Sequence, residues 1–312
     1  MRNYLCVSVT IKRLNVGVVS EDGNILKYQY TYYDDIPEEK ILVKTIAKMA
    51  KEVSEGLDPL MATVAVPEGV DPVHGTWYTH QFGVDIPLRS DLQKLLGIPT
   101  FVDNDANIAA VGEKYFGSMK FTENFFYLSI SYEISGAMYM NNNLFRGTHN
   151  GASELGHITI EEDGNVCTCG SRGCLNTVAS SNAISQYYGE LTTNPNPPIY
   201  RDIANLARQG DLSATEAFKR AGEALGKTLS LILNTMNVTC FVIGGTVGQE
   251  LDLLHPYMIK SINKYAFKVA NYDCKIIKNE LGYDAILIGC AAYSACVLQN
   301  PNEYDTLAKK NL

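Results

Sequence analysis

The apolar and polar residues of this chain run through the same succession twice, and that repetition limits its fold more than any other feature. Segments 4–10, 14–19 and 25–33 carry the alternating pattern of strands, with Glu21-Asp-Gly-Asn as the turn between the last two. Ile41, Leu42, Ile46, Met49 and Val53 then recur near the 3.6-residue period, which predicts a helix over 38–55 ahead of a buried strand at 61–66. After a long loop come a helix at 88–96, a strand at 100–103 and a helix over 107–115. From residue 124 the pattern restarts with strands at 125–130 and 134–140, an Asn141-Asn-Asn turn and a strand-like step at Leu144. It continues with a helix over 214–236, a strand at 240–243, another helix and strand, and an apolar helix at 290–298. A duplicated α/β chain is the expected architecture.

A length of 312 residues exceeds what one hydrophobic core usually serves, so two lobes are expected. The boundaries read from the pattern are 1–117 and 118–289, with a C-terminal helix over 290–312 returning to the first lobe and a polar tail after Pro301 that frays. A cleft between the lobes is the place to expect a small-molecule site. The stretch 191–198, rich in Thr, Asn and Pro, reads as a surface loop.

With 46% hydrophobic and 19% charged residues the chain is not a disordered one. Its first residues enter a strand pattern directly, without the apolar run of a signal peptide or membrane span, so a cytoplasmic location and no membrane partner are expected. A formal charge of −8 and the lack of a Lys/Arg cluster argue against gripping a nucleic-acid backbone.

Three of the eight cysteines fall within eight residues, in Cys167-Thr-Cys169-Gly-Ser-Arg-Gly-Cys174, and His157 lies ten residues before them. Glycines permit the tight turns that bring three thiolates to one point, and three sulfurs with one imidazole nitrogen make a closed, structural zinc set. A reduced apolar cysteine cluster would sit in a hydrophobic run, whereas this one is flanked by Gly, Arg and Asn. Cys6, Cys240, Cys274, Cys290 and Cys296 lie in apolar segments and read as small hydrophobes.

The run Gly147-Thr-His-Asn-Gly-Ala-Ser-Glu154-Leu-Gly-His157 ahead of the cysteines resembles the signature of the ROK family, named for repressors, open reading frames and kinases. The resemblance extends to Val102-Asp-Asn104-Asp105-Ala-Asn107 and to Val242-Ile-Gly244-Gly245, nearly the whole chain. It implies the two-lobed, duplicated ribonuclease-H-like fold of the hexokinase and actin superfamily. It also implies that Asp105 is the general base of a sugar kinase, and that Asn104, Glu154 and His157 contact a monosaccharide or amino sugar. His157 would then offer one ring nitrogen to zinc and the other to the sugar. Read from the residues alone, Asn104 and Asp105 also make a helix N-cap, and Glu154 is equally a solvated helix-start residue. The family's habit implies a homo-dimer or tetramer.

The phosphate loops depart from the family pattern. Where kinases carry Asp-x-Gly-Gly-Thr, this chain has Ser8-Val9-Thr10-Ile11-Lys12, and where they carry Gly-Thr-Gly-Ile-Gly it has Ser131-Tyr132-Glu133-Ile134-Ser135. Cβ atoms replace bare backbone at both places, and Glu133 sets a negative charge beside a triphosphate. ATP and Mg²⁺ use is therefore not expected. Gly244 and Gly245, which line the adenosine site in kinases, persist here, although a tight turn explains such a pair equally well. Gly222-x-x-x-Gly226-Lys227-Thr228 falls inside a helical pattern and is set aside as a phosphate loop. Asn176 stands where the family has a sugar-binding Glu, and Glu68 follows Pro67 where it has Gly.

Three functions remain. One is a non-catalytic sugar sensor like the effector-binding part of the family's transcriptional repressors, with no direct DNA binding expected, because only three residues precede the first strand. Another is an ATP-dependent sugar kinase with a divergent phosphate site. A protein of assembly with a vestigial cleft is a third, blander reading.

Overall fold

The structure, a computed structural model, describes residues 2–79 and 84–299. The expected tail after Pro301 and the end of the 290–312 helix lie outside the described residues. Two compact units emerge. The first takes residues up to 122, the segment 144–152, and the chain from 284 onward; the second takes Glu123–Asn143 and Ser153–Tyr283. This differs from the 1–117 and 118–289 boundaries chiefly in 144–152, where Arg146 and Asn150 hydrogen-bond to Asp103 and Val70 of the first unit.

In the first unit β1 (Asn3–Val9), β2 (Arg13–Ser20) and β3 (Ile25–Tyr32) form an antiparallel meander, followed by α1 (Glu39–Ser54) and β4 (Ala62–Val66). Then β5 (Gly69–Asp71), β6 (Thr76–Thr79) and β7 (Val84–Ile86) make a small separate sheet, and α2 (Leu88–Leu96), β8 (Thr100–Asn104) and α3 (Asp105–Tyr115) complete the run. The main sheet has the order β3-β2-β1-β4-β8, with β4 parallel to both β1 and β8. All five residues of β4 are buried, as an interior parallel strand covered on both faces requires. On α1, Leu42, Val43, Ile46, Met49, Ala50 and Val53 form the buried stripe, which takes in four of the five periodic residues, while Ile41 faces solvent.

The second unit repeats the plan. Its strands are β9 (Phe125–Ile130), β10 (Ile134–Met140), β11 (Asn143–Phe145), β12 (Cys240–Gly244) and β13 (Lys275–Lys278), in the order β11-β10-β9-β12-β13. Position for position this is the order of the first sheet, with β12 parallel to its two neighbours. The helices are α4 (Asn176–Ala179), α5 (Ser181–Thr192), α6 (Tyr200–Arg208), the long α7 (Leu212–Met236), α8 (Gly245–Gly248) and α9 (Leu251–Tyr265). Phe126, Leu128, Phe218, Leu225, Leu229, Phe241 and Met258 meet in its core.

The described residues end in the first unit with α10 (Ala285–Gln299), which begins at Ala285 where the pattern placed it at 290. The run Gly282–Gln299 is apolar enough to cross a membrane by composition, but α10 packs on α3, β1 and β4, and that burial accounts for its lack of a polar face. Two further differences concern short elements. The β5–β7 sheet occupies part of the expected long loop, its strands being too short to show a period; in 191–198, Leu191 and Thr192 close α5 and 193–198 is loop.

Candidate functional site

In the second unit the chain leaves a short 3₁₀ turn at Leu155–His157 and doubles back on itself before α4. The Ile160 and Glu161 amides donate to the Gly173 carbonyl, Leu175 donates to Ile158, and Thr159 bridges Cys174. Within this knuckle the Cys167 amide donates to Ser171 and the Gly170 amide to Cys167. Gly173 has φ +66°, and a Cβ there would lie 1.5 Å from the Glu161 oxygen, so no other residue fits the crossing.

The fold brings one ligand atom from each of His157, Cys167, Cys169 and Cys174 to within 4.8 Å of one another. Cys167 Sγ lies 3.7 Å from His157 Nδ1, and Cys169 Sγ lies 3.7 Å from Cys174 Sγ. Cys167 and Cys174 are buried and Cys169 is exposed. The Ser171 amide, donating to the Cys169 sulfur, draws that thiol down to about 6, while burial pushes the Cys174 thiol up to about 12. These four side chains could hold a metal ion, and with all four positions taken by protein the set is of the closed kind.

Asn176 opens α4 beside this knuckle. Its Oδ1 accepts from the Ile134 amide at 2.7 Å, and its side-chain amide lies against Gly156, where a Cβ would meet it at 2.9 Å. The side chain thus braces the Glu154–His157 turn against β10. Glu154 itself is exposed at the start of that turn.

In the first unit Asn104 ends β8 and caps α3. Its Oδ1 accepts from the Ala106 and Asn107 amides at 2.9 and 3.3 Å, and its Nδ2 donates to the Glu68 carbonyl at 3.0 Å. The N-cap reading is realised, and one amide hydrogen remains for another acceptor. Asp105 is the first helical residue and is half-buried, a position where the helix dipole favours a carboxylate. Asn104 and Asp105 belong to the first unit; Glu154, His157 and Asn176 belong to the second.

The segments that replace the phosphate loops are closed upon themselves. In the β1–β2 turn Thr10 donates through both its amide and its hydroxyl to the Arg13 carbonyl, and Lys12 pairs with Asp35 at 3.7 Å and with the Asp34 carbonyl. At the second loop Ser131 Oγ accepts the Thr246 amide at 3.0 Å and the Ser131 carbonyl accepts the Ser181 amide at 2.8 Å. One amide donor at the start of each of α8 and α5 is thereby occupied by protein. Gly244 and Gly245 have a packing reason of their own, since Cβ atoms would fall 2.0 Å from the Tyr127 hydroxyl and 2.4 Å from the Ile130 oxygen. Gly222 and Gly226 lie in mid-α7, where α9 crosses closely, and Lys227 donates to the Ile160 carbonyl.

Sequence reasoning missed Asp103 and Arg146. Asp103 is fully buried at the end of β8 and takes both ends of the Arg146 guanidinium. A carboxylate directly after Phe101 and Val102 in a parallel strand was the available signal, because such a group, once buried, demands a cation.

Compared with known proteins, the chain matches the model of the ROK family over residues 4–295. It is 28% identical to a xylose repressor of Bacillus subtilis over 291 residues, covering 92% of this chain and 75% of that protein. It is equally 28% identical to a glucokinase of Thermotoga maritima over 301 residues, covering 89% and 92%. Among solved structures, a ROK family glucokinase from Streptomyces griseus in complex with glucose and AMPPNP matches with a TM-score of 0.83 and 25% identity, over 93% of this chain and 98% of that one.

Proposed function

This chain belongs to the ROK family, with the two-lobed fold of the hexokinase and actin type, and from that premise we propose that it is a sugar-binding sensor of the regulator kind that does not transfer phosphate. The observation that carries the reading is Ser131, whose hydroxyl and carbonyl take the Thr246 and Ser181 amides where the family's kinases keep a bare glycine loop for phosphates. Phosphoryl transfer depends on positioning and on neutralising charge, and Ser8–Lys12 and Ser131–Ser135 offer neither glycine backbone nor a Mg²⁺-directing carboxylate in the family's place. The similarity to a xylose repressor agrees with this.

The proposed sugar contacts are Asn104, Asp105, Glu154 and His157. Asn176 joins them through its Nδ2, its oxygen already accepting from the Ile134 amide. The ligand is a monosaccharide or amino sugar, and the location is cytoplasmic.

The four-ligand cluster is proposed to hold a structural zinc ion. Two sulfurs each about 2.3 Å from a tetrahedral ion stand about 3.8 Å apart, and a sulfur and a nitrogen about 3.6 Å. The 3.7 Å separations of Cys169 from Cys174 and of Cys167 from His157 fit the edges of that tetrahedron. Bound zinc would fix the His157 ring through Nδ1 and leave Nε2–H facing outward as a donor to a sugar hydroxyl.

A second reading, an ATP-dependent sugar kinase with Asp105 as general base, is favoured by that carboxylate at the start of α3 and by similarity to a glucokinase over most of its length. Isothermal titration of zinc-loaded protein with xylose, hexoses and amino sugars tests the sensor proposal. A saturable one-to-one isotherm that needs no nucleotide is expected; absence of binding to every sugar would remove both readings.

A further inference from the structure

Asp103 is the one carboxylate of β8, and its side chain is completely shielded from solvent while Arg146 is 10% exposed. The two meet as a fork: Nη1 on Oδ1 at 3.0 Å and Nη2 on Oδ2 at 2.5 Å. Asp103 Oδ1 also accepts from the Asn104 amide at 2.8 Å and from Asn107 Nδ2 at 3.1 Å, so three donors converge on one oxygen at the start of α3. Arg146 in turn donates to Asn150 Oδ1 at 2.6 Å, Asn150 donates to the Val70 carbonyl at 2.9 Å, and the Arg146 carbonyl receives the Ala152 amide. All of these residues lie in the first unit.

We infer that Asp103 and Arg146 are a positioning pair that fixes the Asn104–Asp105 step and seats the 146–152 segment beside it. The inference rests on the proposal that Asn104 and Asp105 contact sugar. A buried ion pair is a poor source of net stability, because desolvation offsets its attraction, whereas a bidentate fork whose two carboxylate oxygens both accept from the guanidinium is rigid in direction. That rigidity is transmitted through Oδ1 to the backbone of Asn104, whose own side chain caps the helix on which Asp105 sits. Neither Asp103 nor Arg146 needs to touch the ligand for this.

The test is Arg146→Lys, which keeps the neutralising charge and removes the fork. It is paired with the double variant Asp103→Asn/Arg146→Gln, which leaves two amides and no unpaired charge. For each, exchange of the Ala106 and Asn107 amides with deuterium is followed alongside calorimetric titration of a monosaccharide that the wild type binds. In Arg146→Lys those amides are expected to exchange at least 10-fold faster, and sugar binding to weaken at least 10-fold while the protein stays folded. The double variant should recover much of both. Wild-type exchange and affinity in folded Arg146→Lys would overturn the pairing. Failure of the wild type to bind any sugar is seen before a variant is made, and overturns the sugar proposal and with it the positioning role.

Discussion

Cys169 Sγ and Cys174 Sγ stand 3.7 Å apart across the knuckle that doubles back between His157 and α4. Two free sulfurs need not approach so, whereas a shared tetrahedral ion sets about that separation. Cys174→Ser should therefore lower metal affinity by more than the roughly 10–100-fold that loss of an outer partner costs. Inductively coupled plasma mass spectrometry of purified protein should read close to one zinc per wild-type chain and well below that in the variant.

Gly173 carries the crossing of that knuckle. Its φ of +66° and the 1.5 Å approach of a Cβ to the Glu161 oxygen mean that Gly173→Ala both strains the backbone and displaces the Ile160–Glu161 segment. A loss of about 3 kcal/mol is expected from the two effects together. Chemical denaturation of the zinc-loaded protein measures it, and a change under about 0.5 kcal/mol, the size of an ordinary surface substitution, would contradict the crossing.

Asn104 combines a cap with a proposed sugar contact, and the two can be separated. Asn104→Ser keeps an N-cap oxygen and should cost only a few tenths of a kcal/mol, while Asn104→Ala should cost about 1 kcal/mol. Both lose the carboxamide and should weaken sugar binding alike. If affinity follows stability across the pair, the residue is a cap alone.

Asn176 braces the Glu154–His157 turn through the Ile134 amide. Asn176→Ala leaves that amide without its acceptor in a half-buried place and should destabilise the protein by about 1–3 kcal/mol. Its effect on sugar affinity should be smaller than that of Asp105→Asn. The reverse order in a calorimetric comparison would make Asn176 a principal ligand.

The duplicated α/β plan was legible because long periodic segments such as 38–55 and 214–236 bury one stripe each, and the two sheets repeat one strand order. The cysteine knuckle was legible because zinc-type spacing and turn glycines are local. The β5–β7 sheet was not, since strands of three or four residues show no period. Asp103 and Arg146 were missed for a different reason: they lie 43 positions apart, and only the tertiary fold pairs them. Asn176 looked like a sugar ligand by position, and its bond to Ile134, 42 residues away, is equally invisible in the sequence.

The central claim is that this chain engages sugar without phosphorylating it. ADP release from Mg-ATP, measured on zinc-loaded protein with saturating sugar and with Asp105→Asn as the blank, tests it most directly. Release equal to that of the blank, from protein that binds the same sugar by calorimetry, is the predicted result. Sugar-dependent turnover that Asp105→Asn abolishes would contradict it and establish a kinase whose phosphate site is built without the family's glycine loops.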